Sequence, residues 1–453
     1  MLENYSPLAR RALGKLRIGE RIRIEKKRTS YEGMLMPRIE AGDRSCIVLK
    51  LDNGYNLGIR VEKGVKILKS KKKEPEEIKE EAKFELGKWH AEARKKAKFN
   101  PKKPTIAILG TGGTIASRVD YTTGGVVPVS TAEDIVAAIP ELADIANLRC
   151  RVLFEMFSED MTFSHYSMIA KEVAKEIKKG CDGVIITHGT DTMGYTAAAL
   201  SFALQDLPVP VILVGAQRSS DRGSSDAAMN MICAARFIVG SDWSGVGICM
   251  HGSMSDDYCL VHEGTKARKM HTSRRDAFES VNVYPFARIE YNGKIEFIRK
   301  DYRKKDKKRK LKVRAKFEPD VALVKMYPGI EPKVLKAYKE YKGIVLEGTG
   351  LGHAPVTSTD KHTIRSKKIF EELKKLAKRK VIVMTSQCID GRINMNVYAS
   401  GRRLQEIGVV PGEDMLPETA FIKLSWLLAN EKKNAKKLMR TSIAGEIRAR
   451  SEL

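Results

Sequence analysis

The chain has 453 residues, 42% of them hydrophobic, enough for two or three domains and a large core. No run of about 18 apolar residues occurs, so no membrane helix is indicated, and Met1-Leu2-Glu3-Asn4-Tyr5 lacks a signal-peptide pattern. The seven cysteines are scattered and include no C-x-x-C pair, which argues against a disulfide framework or a zinc site and points to a reducing, cytoplasmic location. Lysine and arginine exceed aspartate and glutamate by 82 − 56 = 26. High charge density also fits a heat-adapted surface, but an imbalance of this size favours a polyanionic partner, RNA being the obvious one.

Residues from about Gly14 to Leu68 read as all-β. Arg21-Ile22-Arg23-Ile24 alternates with period two, Cys46 to Leu51 is rich in strand formers, and Asn53-Gly54 is a hairpin signal before a returning strand, Tyr55 to Val61. The expectation is a small SH3-like β-barrel over residues 1–70. Residues 71–103 are charged and poor in apolar side chains, with Pro75 near one end, Pro101 and Pro104 at the other, and helix formers from Glu76 to Ala97 between. That composition reads as a linker containing a helix.

Beyond Pro104, strand and helix patterns alternate. Strand-like runs fall near 105–109, 151–154, 183–187, 210–214 and 245–250, with helical periodicity in Met168–Lys179, Thr192–Gln205 and Ser225–Ile238. Strands separated by such helices imply βαβ crossovers and a parallel sheet. Asn292-Gly293 marks a hairpin, and a basic run from Arg303 to Lys316 is either a solvated loop or a contact to a polyanion. Strand patterns resume at Val321–Val324, Gly343–Leu346 and Val381–Met384, and Glu418–Ala429 is the most persuasive terminal helix. The expected organisation is a large α/β domain over 104–317 and a smaller one over 318–453.

Two turns carry the chemistry. Gly110-Thr111-Gly112-Gly113-Thr114-Ile115-Ala116-Ser117 and His188-Gly189-Thr190-Asp191-Thr192 each follow a buried strand pattern, and open α/β sheets place ligands at the carboxyl ends of their strands. The first turn is not a dinucleotide fingerprint, because Ile115 stands where the third glycine belongs. No P-loop occurs anywhere. Hydroxyls in such turns often satisfy only local backbone groups. As a nucleophile, a threonine needs an activating and an orienting group. Lys269 supplies the first if partly desolvated, and Asp191 the second. Glycine turns also let backbone N–H groups approach a developing oxyanion. Cys388, after a strand, reads as a small buried hydrophobe, and His188 and His251 as structural histidines with no zinc spacing.

At these positions the chain resembles the bacterial-type L-asparaginases, over residues from about 104 to 430. Thr114 matches that family's mobile-loop threonine. Thr190, Asp191 and Lys269 match its second threonine, aspartate and lysine. Tyr121, in Asp120-Tyr121-Thr122-Thr123-Gly124-Gly125, matches the tyrosine of the lid, and Ser158, with Glu159 beside it, the serine that grips the α-amino acid end. Gly215–Ser220 and Asn394–Tyr398 extend the similarity. With its β domain and linker, the whole chain is similar to the D-type branch of the archaeal glutamyl-tRNA(Gln) amidotransferase subunits. Gly194-Tyr195 and the charged Arg218–Arg222 depart from ordinary asparaginases.

The resemblance implies an asparaginase-like body of two α/β domains and a glutaminase that takes ammonia from glutamine or asparagine, with either Thr114 or Thr190 attacking first. No cofactor or metal is expected in this chain. ATP and Mg²⁺ belong to a partner subunit of the E type, the kinase and transamidase, which acts on tRNA(Gln). A homodimer core within a two-plus-two heterotetramer follows from the same resemblance, the Gly348–Gly352 turn and Ser386-Gln387 closing the neighbouring subunit's pocket. The competing expectations are a stand-alone cytosolic L-asparaginase and a non-catalytic RNA-binding scaffold.

Overall fold

The computed structural model describes residues 5–26, 29–36, 44–51, 56–62, 64–70, 99–112, 117–120, 125–128, 135, 138–218 and 224–450. At the amino end the Ser6 hydroxyl accepts the Ala9 N–H and Pro7 fills the first turn, so helix α1 (Pro7–Leu13) starts from a satisfied cap. It delivers Ala9 and Leu13 to a small core with Ile22, Ile24, Leu35 and Ile47. Strands β1 (Arg21–Lys26), β2 (Thr29–Leu35), β3 (Cys46–Lys50), β4 (Asn56–Arg60) and β5 (Lys66–Lys69) form an antiparallel sheet in the order β4-β3-β2-β1-β5. Ile22 and Ile24 are buried and Arg23 exposed, as the pleat requires. The two end strands, β4 and β5, are not paired with each other, so closure of the SH3-like kind is not among the described pairings. Asn53-Gly54 lies outside the described residues, though β3 and β4 flank it in hairpin register, Lys50 opposite Asn56. The linker helix expected over Glu76–Ala97 also lies outside them.

The large sheet is built from β6 (Thr105–Gly110), then, after the ribbon of β7 (Ser117–Asp120) and β8 (Gly125–Pro128), from α2 (Glu141–Ile145), β9 (Asn147–Val152), α3 (Phe163–Lys178) and β10 (Gly183–Thr187). Helix α4 (Met193–Ala203), β11 (Leu204–Gln205), β12 (Val211–Val214), α5 (Ala227–Gly240) and β13 (Val246–His251) continue the alternation. There it stops. Strands β14 (Tyr258–Glu263), β15 (Ala267–Lys269), β16 (Phe278–Ser280), β17 (Ala287–Glu290), β18 (Ile295–Phe297) and β19 (Lys312–Val313) follow without helices between them. The eight-stranded order is β18-β17-β14-β13-β12-β10-β6-β9. The expected parallel sheet is therefore mixed, parallel from β9 to β13 and antiparallel through β14, β17 and β18. Gly293, at a φ of +96°, makes the turn from β17 to β18 as its Asn-Gly signal predicts.

Alternate residues of the central strands sort onto two cores. Ile106, Ile108, Ile185 and Ile212 meet Ile232 and Phe237 of α5 on one face. Ala107, Leu109, Val184, Ile186 and Leu213 meet Ile169 and Val173 of α3 and Leu200 of α4 on the other. Helices on both faces are why β10 and β12 are buried at every position.

The second α/β unit comprises β20 (Val321–Lys325), α6 (Pro332–Lys336), β21 (Gly343–Gly348), α7 (Ile364–Ala377), β22 (Val381–Ser386), α8 (Ala399–Glu406), β23 (Val410–Pro411), α9 (Pro417–Asn430) and α10 (Ala435–Leu438). Its strands run parallel in the order β20-β21-β22-β23. Helix α9 touches both α4 and β21, and Trp426 stacks on Phe202 with ring centroids 5.9 Å apart, so it joins the two units. Among the described residues no helix is long and apolar enough to cross a membrane.

Candidate active site

Strands β6 and β10 are neighbours in parallel register, Gly110 beside Thr187, so the turns after them leave the sheet side by side. Thr111 is buried, and both its N–H and its hydroxyl donate to the Thr187 carbonyl, at 3.1 and 2.9 Å. This ties the first turn to the second. Gly112 sits at a φ of +99°, where a Cβ would strike the Met156 carbonyl; only glycine fits both demands. Thr114 and Tyr121 lie outside the described residues.

The second turn is held from three sides. His188 is buried, with Nδ1 2.6 Å from the Gly189 carbonyl and Nε2 2.8 Å from the Thr196 hydroxyl. Burial lowers its pKa to about 4, so the ring is neutral and serves as a brace. A Cβ on Gly189 would come 2.8 Å from the Ser158 Cβ, and one on Gly215 would come 2.6 Å from the Thr190 Cγ2. The Thr192 hydroxyl donates to the Ser158 carbonyl at 2.6 Å. Ser158 is itself buried at the start of a 3-10 turn, Ser158–Asp160, in which Glu159 is exposed. The structure thus sets Ser158 against the Thr190 turn and leaves Glu159 facing solvent.

Lys269 ends β15, paired with Phe278 of β16. Its Nζ donates to the Thr190 Oγ1 at 2.9 Å and to the Asp191 Oδ1 at 2.8 Å. The lysine side chain is 14% exposed and the aspartate 68%, so the ammonium is mostly covered while the carboxylate opens to solvent. Lysine and threonine, 79 positions apart in the chain, meet beside the aspartate as the sequence expects. Gly194 explains part of the approach: a Cβ there would lie 3.1 Å from the Ala267 carbonyl, so the first turn of α4 can sit close to β15.

Sequence reasoning missed what holds the lysine's strand. The Glu418 carboxylate, in the first turn of α9, lies 3.4 Å from the Arg268 Nε. Burial raises the Glu418 pKa, with Arg268 pulling the other way. Lys266 and Asp414 are both fully buried and 2.7 Å apart, and the Thr419 hydroxyl donates to the Thr265 carbonyl at 2.9 Å. Residues 265–268 are therefore fastened to residues 414–419 of the second unit. Tyr195 packs edge-on against Phe421, its centroid 6.4 Å away, and burial raises its hydroxyl pKa to about 12. The sequence signal is faint: Arg268 just ahead of Lys269 on its strand, and Glu418 in the first turn of a largely apolar helix pattern.

Cys388 is exposed, contrary to the buried hydrophobe expected, because it falls two residues past β22 and beyond the cover of the core. His251 is buried between Asn230 and Asp256, a structural placement. Among the described residues no group of His, Cys, Asp and Glu is placed to hold a metal ion. A cavity of about 470 Å³, lined by Trp243, Val246, Glu263 and Arg448 among others, opens at the amino end of β13. Thr190 follows the carboxyl end of β10, so that cavity lies at the opposite end of the strands from these groups.

A doubly covered α/β sheet with a lysine bridging threonine and aspartate at its strand ends defines an asparaginase-like amidohydrolase. Known proteins agree: the description "Asparaginase, N-terminal" matches residues 105–303 and "Glutaminase/Asparaginase C-terminal domain" matches 320–440. The thermostable L-asparaginase from Thermococcus kodakarensis superposes with a TM-score of 0.67 at 30% identity, covering 76% of this chain and 99% of its own. L-asparaginase I from Vibrio cholerae gives 0.65 at 29%, with the same coverage.

The asparaginases leave about a quarter of the chain unmatched. The description "GatD N-terminal domain" matches residues 16–69. The D-type subunit of glutamyl-tRNA(Gln) amidotransferase from Pyrococcus furiosus is 51% identical over 443 residues, 95% of either chain. Its counterpart from Methanopyrus kandleri is 46% identical, covering 95% of this chain and 92% of its own. The chain belongs to the GatD family, the D-type subunits of glutamyl-tRNA(Gln) amidotransferase.

Proposed function

We propose that this chain is the ammonia-releasing glutaminase of a tRNA-dependent amidotransferase that converts Glu-tRNA(Gln) to Gln-tRNA(Gln). The observation that carries the reading is the Lys269 ammonium shared between the Thr190 hydroxyl and the Asp191 carboxylate. Membership of the GatD family along nearly the whole chain favours this over a free asparaginase.

In the proposed reaction a threonine hydroxyl, of Thr114 or Thr190, attacks the side-chain amide carbon of glutamine or asparagine. The Lys269 ammonium, which donates to the Thr190 hydroxyl, relays the proton: it gives one to the amide nitrogen, which leaves as ammonia, and takes up the one the threonine hydroxyl loses. Water then attacks the acyl-threonine ester and restores the hydroxyl, leaving glutamate or aspartate. Asp191 holds and orients the lysine, and the glycine turn after β6 is the proposed source of backbone N–H groups for the oxyanion. Ser158, Glu159 and Tyr121 are proposed to bind the donor's amino acid end and to cover it. The chain itself would need no cofactor.

The partner is proposed to be a subunit of the E type, which activates the glutamate of misacylated tRNA with ATP and Mg²⁺ and accepts the ammonia. The assembly is proposed as two copies of each subunit around a homodimer of this chain, in the cytoplasm. A paired assay of ammonia release and Gln-tRNA(Gln) formation, with and without that partner, tests the reading. Glutamine hydrolysis should rise when partner, Glu-tRNA(Gln) and ATP are all present. Rapid asparagine hydrolysis by the isolated chain, indifferent to tRNA, would contradict it.

A further inference from the structure

The basic run from Arg303 to Lys316 contains ten lysines and arginines against one aspartate, and Glu431 to Arg440 contains five against one glutamate. Together these 24 residues hold a net charge of (10 + 5) − (1 + 1) = +13, half of the chain's +26. The two stretches lie side by side. Arg314 donates to the Asn430 carbonyl and to the Glu431 carboxylate at 2.9 and 2.7 Å, and the Asn430 side chain donates to the Lys316 carbonyl at 2.8 Å.

The run is a built element, not a loose loop. Leu311 and Ala315 pack into the core beneath α3 and α4, and β19 pairs with β11. Arg303 and Lys312 share Asp206, Lys304 meets Asp242, Lys307 meets Asp182, and Arg309 caps the Leu207 carbonyl. These contacts occupy Asp182, Asp206 and Asp242, and Asp306 accepts the Lys308 backbone N–H. Lys308, Lys310, Lys316, Lys432 and Lys433 remain exposed, and their side chains have no acidic partner among the described residues.

We propose that this face is a docking surface for the phosphate backbone of the tRNA. The inference rests on the tRNA-dependent reading above. Two features favour a nucleic acid over an acidic protein. Lysine ammoniums with no pairing acid neutralise phosphates without needing a fixed geometry, whereas a protein interface is anchored by apolar or aromatic side chains at its centre. Val313 is the one large hydrophobic residue exposed within the run. The face also lies beyond the carboxyl end of α4, whose amino end follows directly on the Thr190 turn, so an 11-residue helix, about 16 Å, separates the two. Bound RNA would thus leave the amide site open.

The test uses the complex of this chain with its partner subunit. One variant carries Lys308→Gln, Lys310→Gln, Lys316→Gln and Lys432→Gln; a control carries Lys367→Gln, Lys368→Gln, Lys374→Gln and Lys378→Gln, at exposed positions of α7 and its carboxyl cap. The first should bind tRNA roughly 10²–10³-fold more weakly at 0.1 M salt, with a log K against log[salt] slope smaller by about 3. Its glutamine hydrolysis without tRNA should match wild type, and the control should bind tRNA as wild type does. Equal tRNA binding by all three complexes overturns the proposal and leaves the amidotransferase reading standing, as does loss of subunit assembly in the first variant, which would assign the face to the protein partner. A wild-type complex with no tRNA-coupled activity overturns that reading and this one with it.

Discussion

Lys266 and Asp414 form a fully buried ion pair, 2.7 Å apart, only three residues ahead of the lysine that reaches Thr190. Asp414 also receives the Arg448 N–H at 3.1 Å, and its carbonyl receives Lys266 at 3.0 Å and Asn282 at 3.2 Å. Removing one partner strands a buried charge, which typically costs about 3–5 kcal/mol. Asp414→Ala should lower stability by that order in denaturant unfolding, and Lys266→Met added to it should recover much of the loss. Unchanged stability in the single variant would show that the pair is not closed in solution.

The site lysine gives a kinetic prediction. Lys269→Met keeps the stem and removes the ammonium that joins Thr190 to Asp191. Loss of a positioned acid–base group should lower kcat for glutamine hydrolysis by roughly 10²–10⁴, with a much smaller change in KM. Steady-state ammonia release measures both. A changed KM with kcat intact would make Lys269 a binding residue instead.

Gly112 tests the first turn. Gly112→Ala meets both a φ of +99° and the Met156 backbone, so the turn must move. Strain of about 1–3 kcal/mol is expected, with loss of activity, because the segment carrying Thr114 starts there. Gly180→Ala, at a φ of +81° with nothing within 4 Å, shares the backbone strain but not the collision. It should cost stability and spare activity.

Two buried histidines set an acid limit. Burial lowers His188 and His262 to about 4 from an ordinary 6.5. Between those values the unfolded chain binds more protons than the native one, so stability rises with pH across this window and falls as pH drops from 6.5 toward 4. His188→Gln should flatten that slope. Thermal unfolding at pH 4.5, 5.5, 6.5 and 7.5 reads it directly.

Much of this was legible in the sequence, for local reasons. Four of the five parallel strands declare themselves as short apolar runs, whereas β9 (Asn147–Val152) carries two arginines and starts four residues ahead of the 151–154 run expected; Thr190 and Asp191 sit in a turn where hydroxyls, a carboxylate and a glycine cluster. Other features required the fold. Helix α3 begins at Phe163, ahead of the Met168 expected, because its capping box pairs Thr162 with the His165 ring where glutamate or glutamine usually stands. Leu204-Gln205 reads as the end of a helix but pairs with Lys312-Val313, more than a hundred residues away. The antiparallel β14 follows β13 without a tight-turn signal, so nothing local marked the change in direction. Arg268–Glu418 and Lys266–Asp414 are contacts across about 150 residues, and no spacing rule reaches that far.

The most direct test of the central claim is glutamine-dependent Gln-tRNA(Gln) formation by the complex of the partner subunit with a Thr190→Val chain, with and without added ammonium salt. Valine keeps the shape beside Gly215 and deletes the hydroxyl that Lys269 holds. The account predicts that the glutamine-dependent product disappears while ammonium restores it, since this chain's task is to supply ammonia. Undiminished glutamine-dependent product in the variant would contradict it.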